Sequence, residues 1–395
     1  MHARLTFYYP ARSGRVDLMP PSRDDSLFIF SHPALPMLIQ LAITGLLVAM
    51  LPLAVVFTSN DTNKYRKLVW ITLFLTFDLI MFGSFTRLTD SGLGCPDWPG
   101  CYGMANPVQA HADIKAAEAL MPTGPVTVVK AWIEMIHRYI AMAVGVLIIA
   151  IMIVAWRRWL ASNRKLSTYS PGLPTALFIM VCLQGAFGAW TVTMKLQPLI
   201  VTIHLLLGLT LLGMLAVLGS RHSIQATINA SASKLVTPAM IALGLLVIQI
   251  ILGGWVSTNY AVLACTDFPL CHGMLIPPMN FEHGFTLWRD LGKTASGDLL
   301  PVEALTAIHW VHRTFAFIVI AYTVWLAHKT MKIEGLRKTG KWILIVVGLQ
   351  LASGLSTIYL SWPILIAIMH NGGAALLVLL LVLLVYKTRQ VARLS

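Results

Sequence analysis

Apolar residues run along the chain in long blocks separated by short polar stretches. The blocks fall at 36–57, 68–86, 132–156, 173–193, 199–219, 237–257, 304–327, 342–361 and 363–386. A helix needs roughly 20 such residues to cross the hydrocarbon layer, and lipid cannot satisfy open backbone groups. The pattern therefore predicts nine membrane-spanning helices packed as a bundle. Composition agrees: 57% hydrophobic, 11% charged and a mean hydropathy of +0.75 make the bilayer the solvent of an all-α integral membrane protein.

Charge orients the helices. The net charge is +13, which alone would suit nucleic acid. With 68–86 running from inside to outside, however, the inner segments (60–67, 156–170, 219–235, 328–341 and 386–395) hold 17 Lys/Arg and the outer ones (86–130, 190–198 and 258–303) hold six. That asymmetry is the positive-inside signal, so the excess charge sets topology and no nucleic-acid partner is expected. The run at 36–57 reads as an appended helix that puts the N-terminus outside. Residues 1–35 carry four arginines and three aspartates, which does not forbid translocation. The distance from residue 1, with no small-residue cleavage pattern, argues against a signal sequence.

Two outer loops share one rhythm. "GLGCPDWPGCYGM" contains Cys95 and Cys101; "VLACTDFPLCHGM" contains Cys265 and Cys271, at an offset of 170. Both are C-x5-C followed by x-G-M, and both follow a glycine-bearing helix (Gly83; Gly253 and Gly254). The next helices match as well: "IEMIHR" (133–138) overlays "IHWVHR" (308–313), at an offset of 175. Gln184 lies 20 residues before His204, and Gln350 lies 20 before His370. One four-helix unit thus occurs twice. An even number of spans keeps both copies in one orientation, related by an axis along the membrane normal. The expected organisation is a leader and appended helix over 1–67, a first unit over 68–220 and a second over 236–386.

Histidines carry the chemistry. His111, His222, His272, His283 and His328 sit in loops or at helix ends, where solvation accounts for them. His137, His204, His309, His312 and His370 lie within spans, where an ionisable group marks a functional site or an interhelical hydrogen bond. His137 and His312 fall on the second helix of each unit, His204 and His370 on the fourth. All four helices run outside to inside, so the four imidazoles share one depth near the outer surface. Two imidazoles from facing helices suit the axial positions of a haem iron; zinc would want further ligands at close spacing, which are missing.

The units differ beside those ligands. Glu134 precedes His137 by one helical turn, and His309 stands at the matching place. One haem would then be worked upon, with Glu134 accepting protons or stabilising positive charge at the reacting carbon; the alternative for Glu134 is an ion pair with Arg138. His309 is open between supporting a ligand and replacing one. Arg138 and Arg313 are candidate partners of haem propionates, or simple snorkelling cations. Asp78 has no counterpart (Ile248 matches it) and suggests a buried polar contact or a bend near the extra helix. Each cysteine pair reads as a structural cystine or as a redox-active pair. Neither has the C-x-x-C-H of covalent haem attachment, and Cys182 reads as packing inside a span.

"FTRLTDSGLGCPDWPGCYG" (85–103), the "EMIHR" helix and the repeated unit resemble the haem A synthase family, in its bacterial branch with cysteine-bearing loops, over about 68–386. The resemblance implies oxidation of the C8 methyl of haem O to a formyl group, giving haem A for terminal oxidases, with oxygen from water through successive oxidations ending in a gem-diol. It implies that His137 and His204 bind the haem O substrate, that His312 and His370 hold a permanent haem b, and that Glu134 is the essential carboxylate. The cysteine pairs would be loop disulfides. The location would be the bacterial inner membrane, in contact with lipid, with the haem sites towards the periplasm. A haem O synthase and an electron acceptor are implied partners; self-association stays open. The chain departs from the family pattern in its leader and the helix at 36–57.

Two other functions compete on the residues alone. A quinol-oxidising cytochrome with two permanent haems b would make both units equivalent. A membrane thiol oxidoreductase or haem carrier would place the chemistry in the cysteine loops.

Overall fold

The computed structural model describes residues 34–223 and 227–394; the expected leader, as far as residue 33, lies outside the described residues. Among those described there are helices and turns but no strands, and nine helices are long and apolar enough to cross a membrane. In chain order the helices are α1 (Ala34–Thr58), α2 (Lys64–Leu88), α3 (His111–Leu120), α4 (Val128–Ala161), α5 (Gly172–Thr193), α6 (Pro198–Arg221), α7 (Val236–Thr258), α8 (Phe281–Phe285), α9 (Val302–Met331), α10 (Arg337–Tyr359) and α11 (Ile364–Leu394). All but α3 and α8 are spans.

Several spans outrun their apolar blocks. α4 has 34 residues and takes in Lys130, Arg157 and Arg158, long side chains that keep their charge in the interface while the backbone stays helical. The starts are fixed by caps: Asn63 accepts from the Arg66 amide, Thr127 from that of Lys130, and Gln197 from that of Ile200. α3 and α8 lie in the outer loops, too short and polar to show in hydropathy.

Packing closes two rings of four. α2 touches α4, α4 touches α5, α5 touches α6 and α6 returns to α2; α7, α9, α10 and α11 close in the same order. The rings meet where α2 and α6 face α7 and α11, over a continuous core that includes Leu212, Leu215, Leu246 and Leu381. At that seam Asn371 Nδ2 donates to Ser84 Oγ at 2.7 Å. The corresponding pair is apolar: a Cβ on Gly254 would meet Leu205 Cδ2 at 3.2 Å.

α1 lies outside the rings, against α4 and α2. It comes closest at Gly45, where a Cβ would stand 3.0 Å from Met142 Cβ. Its amino end sits on the first cysteine loop: Leu41 is buried with Cys95 and Cys101, and Gln109 Nε2 donates to Gln40 Oε1 at 3.3 Å.

Candidate functional site: paired histidines beneath two cystine loops

Each ring presents two imidazoles to its interior. His137 is nine residues into α4 and His312 ten into α9; His204 and His370 are both six residues into α6 and α11. At 1.5 Å per residue these depths are about 14 Å and about 9 Å. Within each ring the two histidines lie in electrostatic reach of one another. All four line one cavity of about 710 Å³ that runs through both rings, along with Glu134 and Arg138.

Every one of these imidazoles lies against a glycine of the neighbouring helix. A Cβ on Gly83 would meet His137 Nε2 at 3.0 Å, and one on Gly188 would meet His204 Cε1 at 3.2 Å. In the other ring, Gly253 stands 2.9 Å from His312 Cε1 by the same measure, and Gly354 stands 3.4 Å from His370 Cε1. The absent side chains leave the rings room to turn. Gly188 and Gly354 went unnoticed in the sequence, although they are separated by the same 166 residues as His204 and His370.

Polar partners of the rings differ between the units. Ser353 Oγ lies 2.8 Å from His370 Nδ1, and Gln350 Nε2 donates to the His370 carbonyl at 2.9 Å. Gln249 Nε2 lies 3.1 Å from His312 Nδ1. In the first ring Gln184 Nε2 approaches His204 Nε2 at 3.4 Å, while His204 Nδ1 is buried without a partner. His137 stacks on Phe82 at 6.3 Å between centroids.

Above each pair lies a cystine loop. Cys95–Cys101 and Cys265–Cys271 are disulfide-bonded, and all four cysteines are buried. In each loop the second cysteine and the methionine three residues on exchange backbone hydrogen bonds. The turn between them is left-handed at Tyr102 (φ 52°) and Gly103 (69°), and at His272 (53°) and Gly273 (73°), which explains glycine in the x-G-M motif. Asp97 accepts from the amides of Tyr102 and Gly103, and Asp267 from those of His272 and Gly273. The Gly273 amide above all holds the Asp267 carboxyl below the usual carboxylate range.

The helix below grips each loop. Glu134, 4% exposed, accepts from the Cys95 amide at 2.9 Å and is ion-paired with Arg138. His309 occupies the matching place, 5% exposed, and its Nδ1 accepts from the Cys265 amide at 3.3 Å. This gives His309 a loop-anchoring contact. Arg138 donates to the carbonyls of Asp97, Pro99 and Gly100; Arg313 donates to those of Asp267 and Leu270. Both guanidiniums also border the cavity, so a propionate would share them with loop carbonyls.

Two expectations are corrected. Asp78 makes no buried polar contact: it is exposed on α2, with no hydrogen bond or ion pair among the described residues. Cys182 does not pack inside; it is a free, exposed thiol on α5.

The residues suit a haem. Matched imidazoles from two helices, glycine clearance beside each and a cavity lined mainly by apolar atoms are what a flat apolar macrocycle with an axially ligated iron requires. Gly253→Ala tests the clearance. Its methyl group would push on His312, and bound haem is expected to fall several-fold, with a changed Soret band in the purified protein. Unaltered haem content and spectrum would show that the notch has no part in binding.

Comparison with known proteins agrees with the geometry. Residues 66–382 match the cytochrome oxidase assembly protein family. The chain is 37% identical to a haem A synthase of Shewanella oneidensis over 326 residues, covering 81% of this chain and 96% of that enzyme. It is 26% identical to a haem A synthase of Erythrobacter litoralis over 339 residues (79% and 93%), and 27% identical to one of Novosphingobium aromaticivorans over 352 residues (81% and 94%). α1 lies outside the residues that match the family.

Proposed function

The chain belongs to the haem A synthase family of cytochrome oxidase assembly proteins, and we propose that it oxidises the C8 methyl of haem O to the formyl group of haem A, with oxygen from water. One observation carries the assignment of roles: of two matched histidine pairs, among the described residues only the first has a carboxylate beside it, Glu134, where His309 stands in the second.

Converting a methyl to a formyl group with water releases four electrons and four protons. The reaction therefore needs a proton acceptor at the carbon and a path for electrons away from it. In this reading the first unit, 68–220, is the substrate unit, in which His137 and His204 hold haem O. In the second unit, 236–386, His312 and His370 would hold haem b, which would supply one-electron redox chemistry. Glu134 borders the cavity and receives protons. Arg138 balances its charge and ties it to the loop, so that the carboxylate keeps one position as the cavity fills. The two cystine loops then act as lids, and Arg138 and Arg313 at their edges offer remaining N–H groups to propionates.

The inside-to-outside charge asymmetry supports placing both haem sites towards the periplasmic side of a bacterial inner membrane, with α1 starting on that side. Haem O arrives from the enzyme that makes it, and the electrons leave to an acceptor that the chain itself does not name.

The test is haem extraction and chromatography on detergent-purified protein made with and without a haem O supply. Haem b alone in the second case, with haem O and haem A added in the first, is the expected result. Haem b in both sites under all conditions, with no haem A, would replace this reading with a two-haem cytochrome.

A further inference from the structure

We propose that side-chain partners of the imidazole Nδ1 atoms make the second histidine pair a retaining site, and that their replacement by apolar residues makes the first pair an exchanging one. The inference rests on the assignment of haem b to His312 and His370, and of haem O to His137 and His204.

The two pairs use the same ligand type against the same glycine notch, so neither the histidines nor their clearance explains why one haem stays and the other leaves as product. What differs is the residue type at the two positions that reach Nδ1 in the second unit. Ser353 adjoins Gly354 on α10; at the offset of 166 its counterpart, adjoining Gly188 on α5, is Phe187. Gln249 lies one turn before Gly253 on α7; at the offset of 170 its counterpart, one turn before Gly83 on α2, is Leu79. Both replacements run in one direction, polar in the second unit and apolar in the first.

Ser353 fixes a tautomer. Its hydroxyl donates to the Leu349 carbonyl at 2.7 Å. That contact uses its one proton, so towards His370 Nδ1, 2.8 Å away, the oxygen presents a lone pair. The His370 ring then carries its hydrogen on Nδ1 and keeps Nε2 free as a donor to a metal. Gln249 Nε2 lies 3.1 Å from His312 Nδ1 and donates to the His312 carbonyl at 3.2 Å, so the carboxamide holds that ring and its backbone together.

The first unit lacks both contacts. Phe187 packs edge-on against Trp190, and His204 Nδ1 is left buried and unpaired. Gln184 instead approaches Nε2 of that ring at 3.4 Å, the nitrogen an iron would take. His137, with Leu79 where a carboxamide would be, has a stacking partner but no hydrogen bond to its ring among the described residues. An acceptor on the far nitrogen orients a ligating histidine and makes it a stronger base, and losing one typically costs 10- to 100-fold in affinity. Fixed rings suit a resident cofactor; unfixed rings suit a substrate that must leave.

The experiment uses full-length protein purified without a haem O supply. It measures haem transfer to excess apomyoglobin, and the midpoint potential of the bound haem by redox titration. Ser353→Ala and Gln249→Leu are each expected to speed haem release about 10- to 100-fold. Ser353→Ala should also raise the potential, because a less basic ligand favours the ferric state less. Ser353→Thr keeps the hydroxyl and should behave as wild type, which a role in helix packing alone would not predict for the potential. In protein made with haem O, Phe187→Ser should slow release of that haem. Unchanged release and potential in both Ser353→Ala and Gln249→Leu would overturn the proposal. His312→Ala and His137→Ala separate the two ways of failing: if only the latter empties the resident haem, the assignment of the sites is wrong and this proposal falls with it. If the former empties it while Ser353→Ala changes nothing, the assignment stands and only the proposal is lost.

Discussion

Glu134→Gln is expected to lower haem A formation by about a hundredfold or more, the scale of a lost general base, while haem b stays bound at the wild-type level. The substitution is chosen for what it keeps. Glutamine is isosteric, and its Oε1 still accepts from the Cys95 amide, so the loop retains its anchor. Arg138 loses its ionic partner but keeps the carbonyls of Asp97, Pro99 and Gly100. What glutamine cannot do is take a proton or oppose a developing positive charge on the substrate. Glu134→Ala would instead leave the Cys95 amide buried without an acceptor, at a cost of about 1–3 kcal/mol, and so confounds chemistry with loop stability. Haem A and haem b per chain, separated by chromatography from the same preparation, give the answer. A Glu134→Gln protein that makes haem A normally would reduce the residue to a loop anchor like His309. Loss of haem b together with haem A would show that the carboxylate supports the fold of both sites.

Much of this architecture was legible in the sequence because the bilayer penalises exceptions. Nine apolar runs become nine spans, and the histidines stand out because an ionisable group inside a span needs a reason. The C-x5-C loops were legible as pairs, and each pair is a disulfide. The missing parts depend on how the helices rotate against one another. Gly188 and Gly354 look like ordinary small residues until α5 and α10 are seen beside His204 and His370. Gln249 and Ser353 carry no signal in the sequence, since contacts across helices leave no local pattern. Arg138 and Arg313 were legible as cations at the outer rim, but not as donors to loop carbonyls, because backbone oxygens are present at every residue and advertise nothing. Asp78 misled for a related reason: rarity inside a span signals significance but does not say which way the side chain faces. α3 and α8 leave no mark in hydropathy because they are short and partly polar.

His312→Ala and His370→Ala should each cut resident haem b by at least about tenfold, since changes one contact removed from a metal already cost that much. The contrast with the first pair is the sharper part of the prediction. His137→Ala and His204→Ala should keep haem b and lose haem A, because each removes an imidazole from the ring that contains Glu134 and leaves the other ring intact. Simple destabilisation would not produce this crossed pattern: all four residues have similar half-buried settings, and each lies against a glycine. Free imidazole added to His312→Ala or His370→Ala offers a further check, as the deleted side chain leaves space for it and the helix backbone is unchanged. Recovery of bound haem b would assign the loss to the missing donor atom. Equal loss of haem b from all four variants would mean that both pairs hold the same resident cofactor, and the chain would then carry electrons without making haem A. Loss confined to His137→Ala and His204→Ala would exchange the two sites, and Glu134 would stand beside the cofactor and away from the substrate.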